Sequence, residues 1–304
     1  MGKIAFVFSG QGAQFPGMGQ ALYESVPAAR QVFDLAEAAR PGTLEQCFAG
    51  SEETLQQTGN TQPCMFAVEL AAAAAVSEAG IRADMAAGFS LGELAALTYA
   101  NALSFAAGFR LVSLRGGLMQ HAAEEFPTAM AAVMKLPDAE VERLCAQFAH
   151  MYPVNYNCPG QITVSGAADE MPEFTAAVKA AGGRAVPLKV AGAFHSPYMQ
   201  SASDAFSQAL AQQEFRAPEI PLYANFTGAP YGADVRGTLA QQMCHPVLWE
   251  TTVRGMIAAG ADIFVELGPG RTLCNLIGKT DKTVRCFAIS GPDDVAALAA
   301  EVQK

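Results

Sequence analysis

Basic residues are scarce in this chain: 19 Lys and Arg stand against 29 Asp and Glu, for a formal net charge of −10. A surface so short of positive charge argues against nonspecific binding to nucleic acid or to an anionic membrane. Long apolar runs are missing too. The stretch 66–76 is apolar but for Glu69, falls short of membrane-spanning length, and reads as a core helix. The seven cysteines include no C-x-x-C pair and no Cys/His cluster. That leaves neither a disulfide framework nor a zinc site, and it suggests reduced thiols in a cytosolic protein. The opening Met-Gly-Lys-Ile-Ala-Phe-Val-Phe has one Lys and too short an apolar run for a signal peptide, and Phe6 breaks the myristoylation pattern. No internal repeat, low-complexity tract or linker is found. What remains is 304 residues, 51% hydrophobic and 16% charged, enough to bury a sizeable core in one large or two modest domains.

The chain is organised around Gly88-Phe89-Ser90-Leu91-Gly92-Glu93, a serine flanked by glycines. Asp84 to Phe89 reads as a short buried strand, and Leu94 to Tyr99, rich in Ala and Leu, as a helix. G-x-S-x-G between a strand and a helix is the pattern of a nucleophile elbow, a turn sharp enough to expose the hydroxyl and too crowded for Cβ atoms on either side. The amide of Leu91 would then open a helix, where partial positive charge favours an oxyanion.

Ile4 to Phe8 reads as a buried parallel-type strand running into Ser9-Gly10-Gln11-Gly12-Ala13-Gln14. Phe15 stands where a dinucleotide fingerprint needs its third glycine, and no Lys-Ser/Thr follows to make a phosphate loop. The loop is either a flexible turn or a source of free amides beside a strand end. Residues 20–58 read as helices broken at Pro27, Pro41 and Gly50. Thr61 is the expected N-cap of a helix over 62–79, and Ser104 that of a helix from 105 to about 124.

From residue 128 the elements become short: strand 128–136, helix 138–149, strands 152–157 and 161–166, helix 169–181, strand 184–188. That β-α-β-β-α-β order is ferredoxin-like. The expected fold is therefore α/β, with a discontinuous large part (1–126 and 191–304) and an inserted small α+β unit (127–190). Alternation resumes with strand 222–224, helices near 237–260, strand 263–267, helix 271–278 and strand 284–289, which argues for a parallel sheet covered by helices.

On the helix from 105, Arg110, Ser113, Gln120, His121 and Glu124 mark a wet face, but Arg115 falls between Leu111 and Leu118. Such an arginine either snorkels out or points into a pocket, where its planar fork suits a carboxylate. A serine nucleophile needs a base, and four histidines are available. His121 and His150 read as surface residues, and His245 precedes Pro246 at a helix start. His195 sits in Ala193-Phe194-His195-Ser196-Pro197, where Ser196 caps and Pro197 opens a helix over 197–213. A histidine there is held neutral by the helix dipole, as a general base requires. No Asp or Glu with an orienting role follows, which favours a Ser–His dyad over a triad.

These motifs together resemble the malonyl-coenzyme A:acyl carrier protein transacylase family. The likeness spans essentially the whole chain and runs in the family's order. It comprises Gly10-Gln11-Gly12-Ala13-Gln14, Thr61-Gln62-Pro63, the elbow at 88–93, and Leu114-Arg115-Gly116. Asn157-Cys-Pro-Gly-Gln161 with Ser165-Gly166 comes next, followed by Phe194-His195-Ser196, Gln242 to Trp249, and Glu266 to Gly270. The resemblance implies a hydrolase-like α/β core with a ferredoxin-like subdomain and a ping-pong acyl transfer. Ser90 would be the nucleophile and His195 the base, with Gln242 supplying the oxygen that orients it. The amides of Gln11 and Leu91 would form the oxyanion hole, and Arg115 would clamp the malonyl carboxylate. Gln62 and Gln161 would line the pocket or the pantetheine path, and Phe194 resembles the residue of malonyl-selecting members. The implied partners are malonyl-coenzyme A and an acyl carrier protein, with no metal or resident cofactor, in a cytoplasmic monomer.

Two positions depart from the family's pattern: Phe89 replaces the usual histidine before the nucleophile, and His245 the usual asparagine before Pro246. A serine esterase or acyl-thioester hydrolase would share Ser90 and His195 without needing Arg115. An acyltransferase of a polyketide-type pathway would share all of them. Acidic carrier proteins would need a local basic patch, for which Arg184, Lys189, Arg271, Lys279, Lys282 and Arg285 are candidates.

Overall fold

The protein is described from a computed structural model covering residues 2–190 and 192–302. Its strands are β1 (Lys3–Phe8), β2 (Met85–Gly88), β3 (Thr128–Met134), β4 (Met151–Cys158), β5 (Gln161–Ala167), β6 (Arg184–Pro187), β7 (Leu222–Tyr223), β8 (Ala261–Leu267) and β9 (Arg285–Ile289). Five of them form an all-parallel sheet in the order β7-β2-β1-β8-β9. The other four form an antiparallel sheet in the order β4-β5-β3-β6, drawn wholly from residues 128–187. The fold is thus α/β with a small antiparallel α+β part, as the element order predicts.

Burial explains why the central strands carry no polar alternation. Ala5 to Phe8 of β1 are fully buried, because helices cover both faces of a parallel sheet. Phe6 and Phe8 face a core shared with the helix Thr58–Glu78, while Ala5 and Val7 face Trp249, Phe264 and Ile277. β3 and β5 pack their own cluster with Phe174 and Val178. The two sheets are joined where Val247 bonds the backbone of Val154 and Tyr156, alongside β4.

Three local readings are corrected. The helix expected from Thr61 begins at Thr58, and Thr61 lies inside it with its hydroxyl on the carbonyls of Leu55 and Gln57. Tertiary contact adds the extra turn: Gly59 donates its amide to Gln120 Oε1 at 3.0 Å, across to the helix Phe105–Glu125. The helix after His195 is split into a 3₁₀ turn, Pro197–Met199, and an α-helix, Gln200–Ala211. The helix Asp138–Cys145 is also shorter than its expected reach to 149. Ala191, expected to open the second half of the large part, lies outside the described residues. A final helix, Pro292–Val302, packs on β9. Among the described residues no helix is long and apolar enough to cross a membrane.

Candidate active site

The site lies at the carboxyl ends of β1 and β2, which pair in parallel register through Phe8 and Gly88. Both strands therefore release their loops at the same level. The loop at Gln11 and the turn at Ser90 and Leu91 come off side by side. This end also flanks the point where the sheet order reverses between β1 and β8, the usual site of crevices in open α/β sheets.

Ser90 sits in the left-handed region with φ 54°, which a serine rarely adopts. Neighbouring contacts hold it there. Its amide donates to Asn225 Oδ1 at 2.7 Å, and Asn225 Nδ2 donates back to the Gly88 carbonyl at 2.5 Å. A Cβ on Gly88 would stand 2.0 Å from the Gly92 carbonyl, and one on Gly92 would stand 2.5 Å from the Phe8 and Ser9 carbonyls. Leu91 then leads into the helix Gly92–Tyr99. Phe89 packs edge-on against Trp249 at 5.4 Å and lies beneath Gly10.

His195 is also left-handed, with φ 61°. Its loop is fixed by Ser196, whose hydroxyl donates to the Ala193 carbonyl at 2.6 Å and accepts from the Tyr198 amide. Nε2 of His195 lies 2.7 Å from Ser90 Oγ, and Nδ1 lies 2.9 Å from the backbone carbonyl of Gln242. A carbonyl only accepts, so Nδ1 carries the proton and Nε2 is free to accept the serine O–H. Burial and the neighbouring Arg115 guanidinium lower the imidazole to about 4, which keeps it neutral at ordinary pH. The oxygen expected from Gln242 is thus the main-chain one.

Arg115 does not snorkel. It is fully buried, on the inner face of its helix. Its Nη2 donates to Ser90 Oγ at 3.1 Å and to Gln242 Oε1 at 2.7 Å, Nε donates to Gln242 Oε1 at 3.1 Å, and Nη1 donates to Gln62 Oε1 at 2.9 Å. Gln242 cannot flip, because its Nε2 donates to both the Ser90 carbonyl (2.7 Å) and Glu93 Oε2 (2.6 Å). Burial lowers the guanidinium to about 10, still charged at neutral pH.

Glu93, Asn225 and Tyr231 are the site residues that sequence reasoning missed. Glu93 accepts from the Asn225 amide, the Tyr231 hydroxyl and Gln242 Nε2, and burial raises its carboxyl to about 7. A charged residue inside an otherwise apolar helix, Glu-Leu-Ala-Ala-Leu, was the one available signal.

The structure thus brings Ser90, His195, Gln242, Arg115 and Gln62 together. Phe194 is buried beside His195, with its carbonyl accepting from Ser165. Gln161 stands apart from the dyad. It accepts from Lys279 Nζ at 3.0 Å and lines a crevice of about 220 Å³ with Gln11, Phe89, Asn157 and Leu273. His245 turns to the Gln241 carbonyl and Phe226, away from the serine. Arg184, Lys189, Arg271, Lys279, Lys282 and Arg285 are all exposed.

A serine on a strained strand-to-helix turn, paired with a neutral histidine at the carboxyl end of a parallel sheet, defines an α/β protein of the nucleophile-elbow class. The acyl transferase domain profile matches residues 5–300. A malonyl CoA-acyl carrier protein transacylase of Bacillus subtilis is 36% identical over 304 residues, 97% of this chain and 96% of that protein. The malonyl CoA-acyl carrier protein transacylase of Clostridium perfringens superposes with a TM-score of 0.96 at 30% identity, covering 99% of this chain and 97% of that one. A malonyl-transacylase solved in complex with a holo type II polyketide synthase acyl-carrier protein superposes at 0.95 with 32% identity, covering 98% and 99%. The chain belongs to the malonyl CoA-acyl carrier protein transacylase family of acyl transferases.

Proposed function

We infer that the protein moves a malonyl group from coenzyme A to the phosphopantetheine thiol of an acyl carrier protein, through an ester on Ser90, and so supplies extender units for fatty acid synthesis. The observation that carries this reading is the buried guanidinium 3.1 Å from a hydroxyl that also touches a neutral imidazole. A hydrolase acting on uncharged acyl groups has no use for that cation.

Ser90 Oγ attacks the thioester carbonyl while His195 Nε2 takes its proton. The amides of Gln11 and Leu91 receive the developing oxyanion, each such donor being worth about 3 kcal/mol. The carbon–sulfur bond breaks, and His195 returns the proton to the coenzyme A sulfur. The carrier thiol then attacks the malonyl ester by the same steps in reverse. Arg115 binds the free carboxylate, and Gln62 and Gln242 hold its fork in place. Phe194 bounds the acyl pocket, and the crevice past Gln11 and Gln161 takes the pantetheine arm. Residues 1–126 and 191–304 carry the chemistry, while 127–190 form the opposite wall.

No cofactor or metal enters these steps, and the protein acts as a monomer. Its seven cysteines are unpaired, which supports a cytoplasmic setting. The test is to compare transfer of malonyl and acetyl groups to a holo carrier protein with hydrolysis of the same thioesters. Transfer of malonyl should dominate; hydrolysis outrunning transfer would refute the reading.

A further inference from the structure

The guanidinium and the imidazole meet at one atom. Arg115 Nη2 and His195 Nε2 both contact Ser90 Oγ, at 3.1 Å and 2.7 Å, so a cation stands beside the base before any substrate arrives. Arg115 is fully buried and His195 is 3% exposed, where like charges are poorly screened. When His195 takes the hydroxyl proton it becomes a second cation next to the first. The acid of this cluster, Glu93, makes no hydrogen bond to the guanidinium; it is linked to it by the Gln242 amide and otherwise acts on it by charge alone. Raised to about 7 by burial, it is only partly ionised at neutral pH.

The guanidinium's donors are nearly used up. Four of its five N–H groups are engaged, two on Gln242, one on Gln62 and one on Ser90. A carboxylate docking on two N–H groups takes the idle Nη1–H and draws the Nη2–H off Ser90.

We propose, on the malonyl-transfer reading, that the acyl group's own carboxylate switches on the Ser90–His195 pair by neutralising Arg115 and lifting its Nη2 from Ser90 Oγ. The proton of Ser90 then passes to His195 Nε2, the oxygen–acyl bond forms, the carbon–sulfur bond breaks, and the proton leaves on the coenzyme A thiol. Arg115 is therefore a specificity determinant in the chemical step as well as a handle for binding. An acetyl group reaches the same serine but finds the base beside a cation that no carboxylate pairs directly.

Acetyl-coenzyme A and free formate together offer the thioester and the carboxylate as separate pieces. Single-turnover formation of acetyl-Ser90 is followed by rapid quench and intact mass, with formate set against chloride at equal ionic strength. Formate is used at a concentration that halves labelling by malonyl-coenzyme A. The expected result is that formate speeds acetylation of the unaltered protein by at least about tenfold, the effect of one pKa unit in the base. Arg115→Gln should acetylate faster than the parent without formate and ignore its addition. Formate that leaves acetylation unchanged or slows it, or that speeds parent and variant alike, overturns the switch. Labelling by malonyl-coenzyme A alone is read in the same series. If it occurs and formate does nothing, the switch fails while malonyl transfer stands; if it does not occur, malonyl transfer itself fails.

Discussion

His195 is depressed from 6.5 to about 4 by burial and by Arg115, whereas Glu93 is raised from 4.5 to about 7 by burial. The first shift fixes the pH profile of the free protein. The base stays neutral down to about 4, so kcat/KM for malonyl transfer should be free of a histidine limb until pH falls near that value. An acid limb centred on 6.5 that persists in the Glu93→Gln variant would contradict the geometry.

The two shifts act on stability with opposite signs. Below 6.5 the unfolded chain takes up a histidine proton that the fold refuses until about 4, so His195 lowers stability as pH falls through that window. Between 4.5 and 7 the folded chain keeps a proton on Glu93 that the unfolded chain has lost, so Glu93 lowers stability as pH rises. The contributions oppose each other where the windows overlap. Glu93→Gln removes one of them, and its Tm should fall more steeply than the parent's on acidification from pH 6.5 to 5. Parallel curves would show that Glu93 does not titrate as the structure implies. The same variant presents an NH₂ group to Gln242 Nε2, so it should also weaken malonyl transfer.

At the scale of elements, the elbow depends on space that only glycine leaves. Gly88→Ala sets a Cβ 2.0 Å from the backbone of the following helix, where no side chain can yield. It should lower Tm by more than about 5 °C and abolish labelling of Ser90, both readable on one purified sample. A variant of unchanged Tm that still labels would mean the turn is looser than it looks.

Much at this scale was legible beforehand. Strand–glycine–serine–glycine–helix is a local pattern, and helical period set Arg115 between Leu111 and Leu118, leaving to the structure whether its fork snorkels out or points inward. The start of the helix at Thr58 was not legible, because Gly59 and Asn60 are poor helix formers, held by Gln120 and by Arg40 from other elements. Glu93 escaped for a related reason. Nothing beside the histidine in sequence points to it, because it acts two links away, through a glutamine 149 residues further along.

Across the whole molecule, a parallel sheet and an antiparallel one are joined, and the presence of both followed from the order of elements in sequence. What alternation could not give is the join at Val247, a long-range backbone pairing with no sequence signature. Of the exposed basic residues, Lys279 holds Gln161 at the crevice, and Lys189 and Arg271 adjoin its lining residues Leu188 and Thr272. Against an acidic carrier protein they should matter in the second half-reaction. Lys189→Glu with Arg271→Glu should slow transfer from the acyl-enzyme to the carrier while sparing acylation by a small malonyl thioester that carries no phosphate. Equal losses in both halves would remove these residues from carrier docking.

The most direct measurement is the intact mass of the protein after brief incubation with malonyl-coenzyme A. One malonyl group should appear on the parent chain, map to the peptide holding Ser90, and leave on addition of a holo carrier protein. Ser90→Ala should stay unlabelled. A parent chain that gains no mass, or a Ser90→Ala protein that still gains it, would contradict the account at its root.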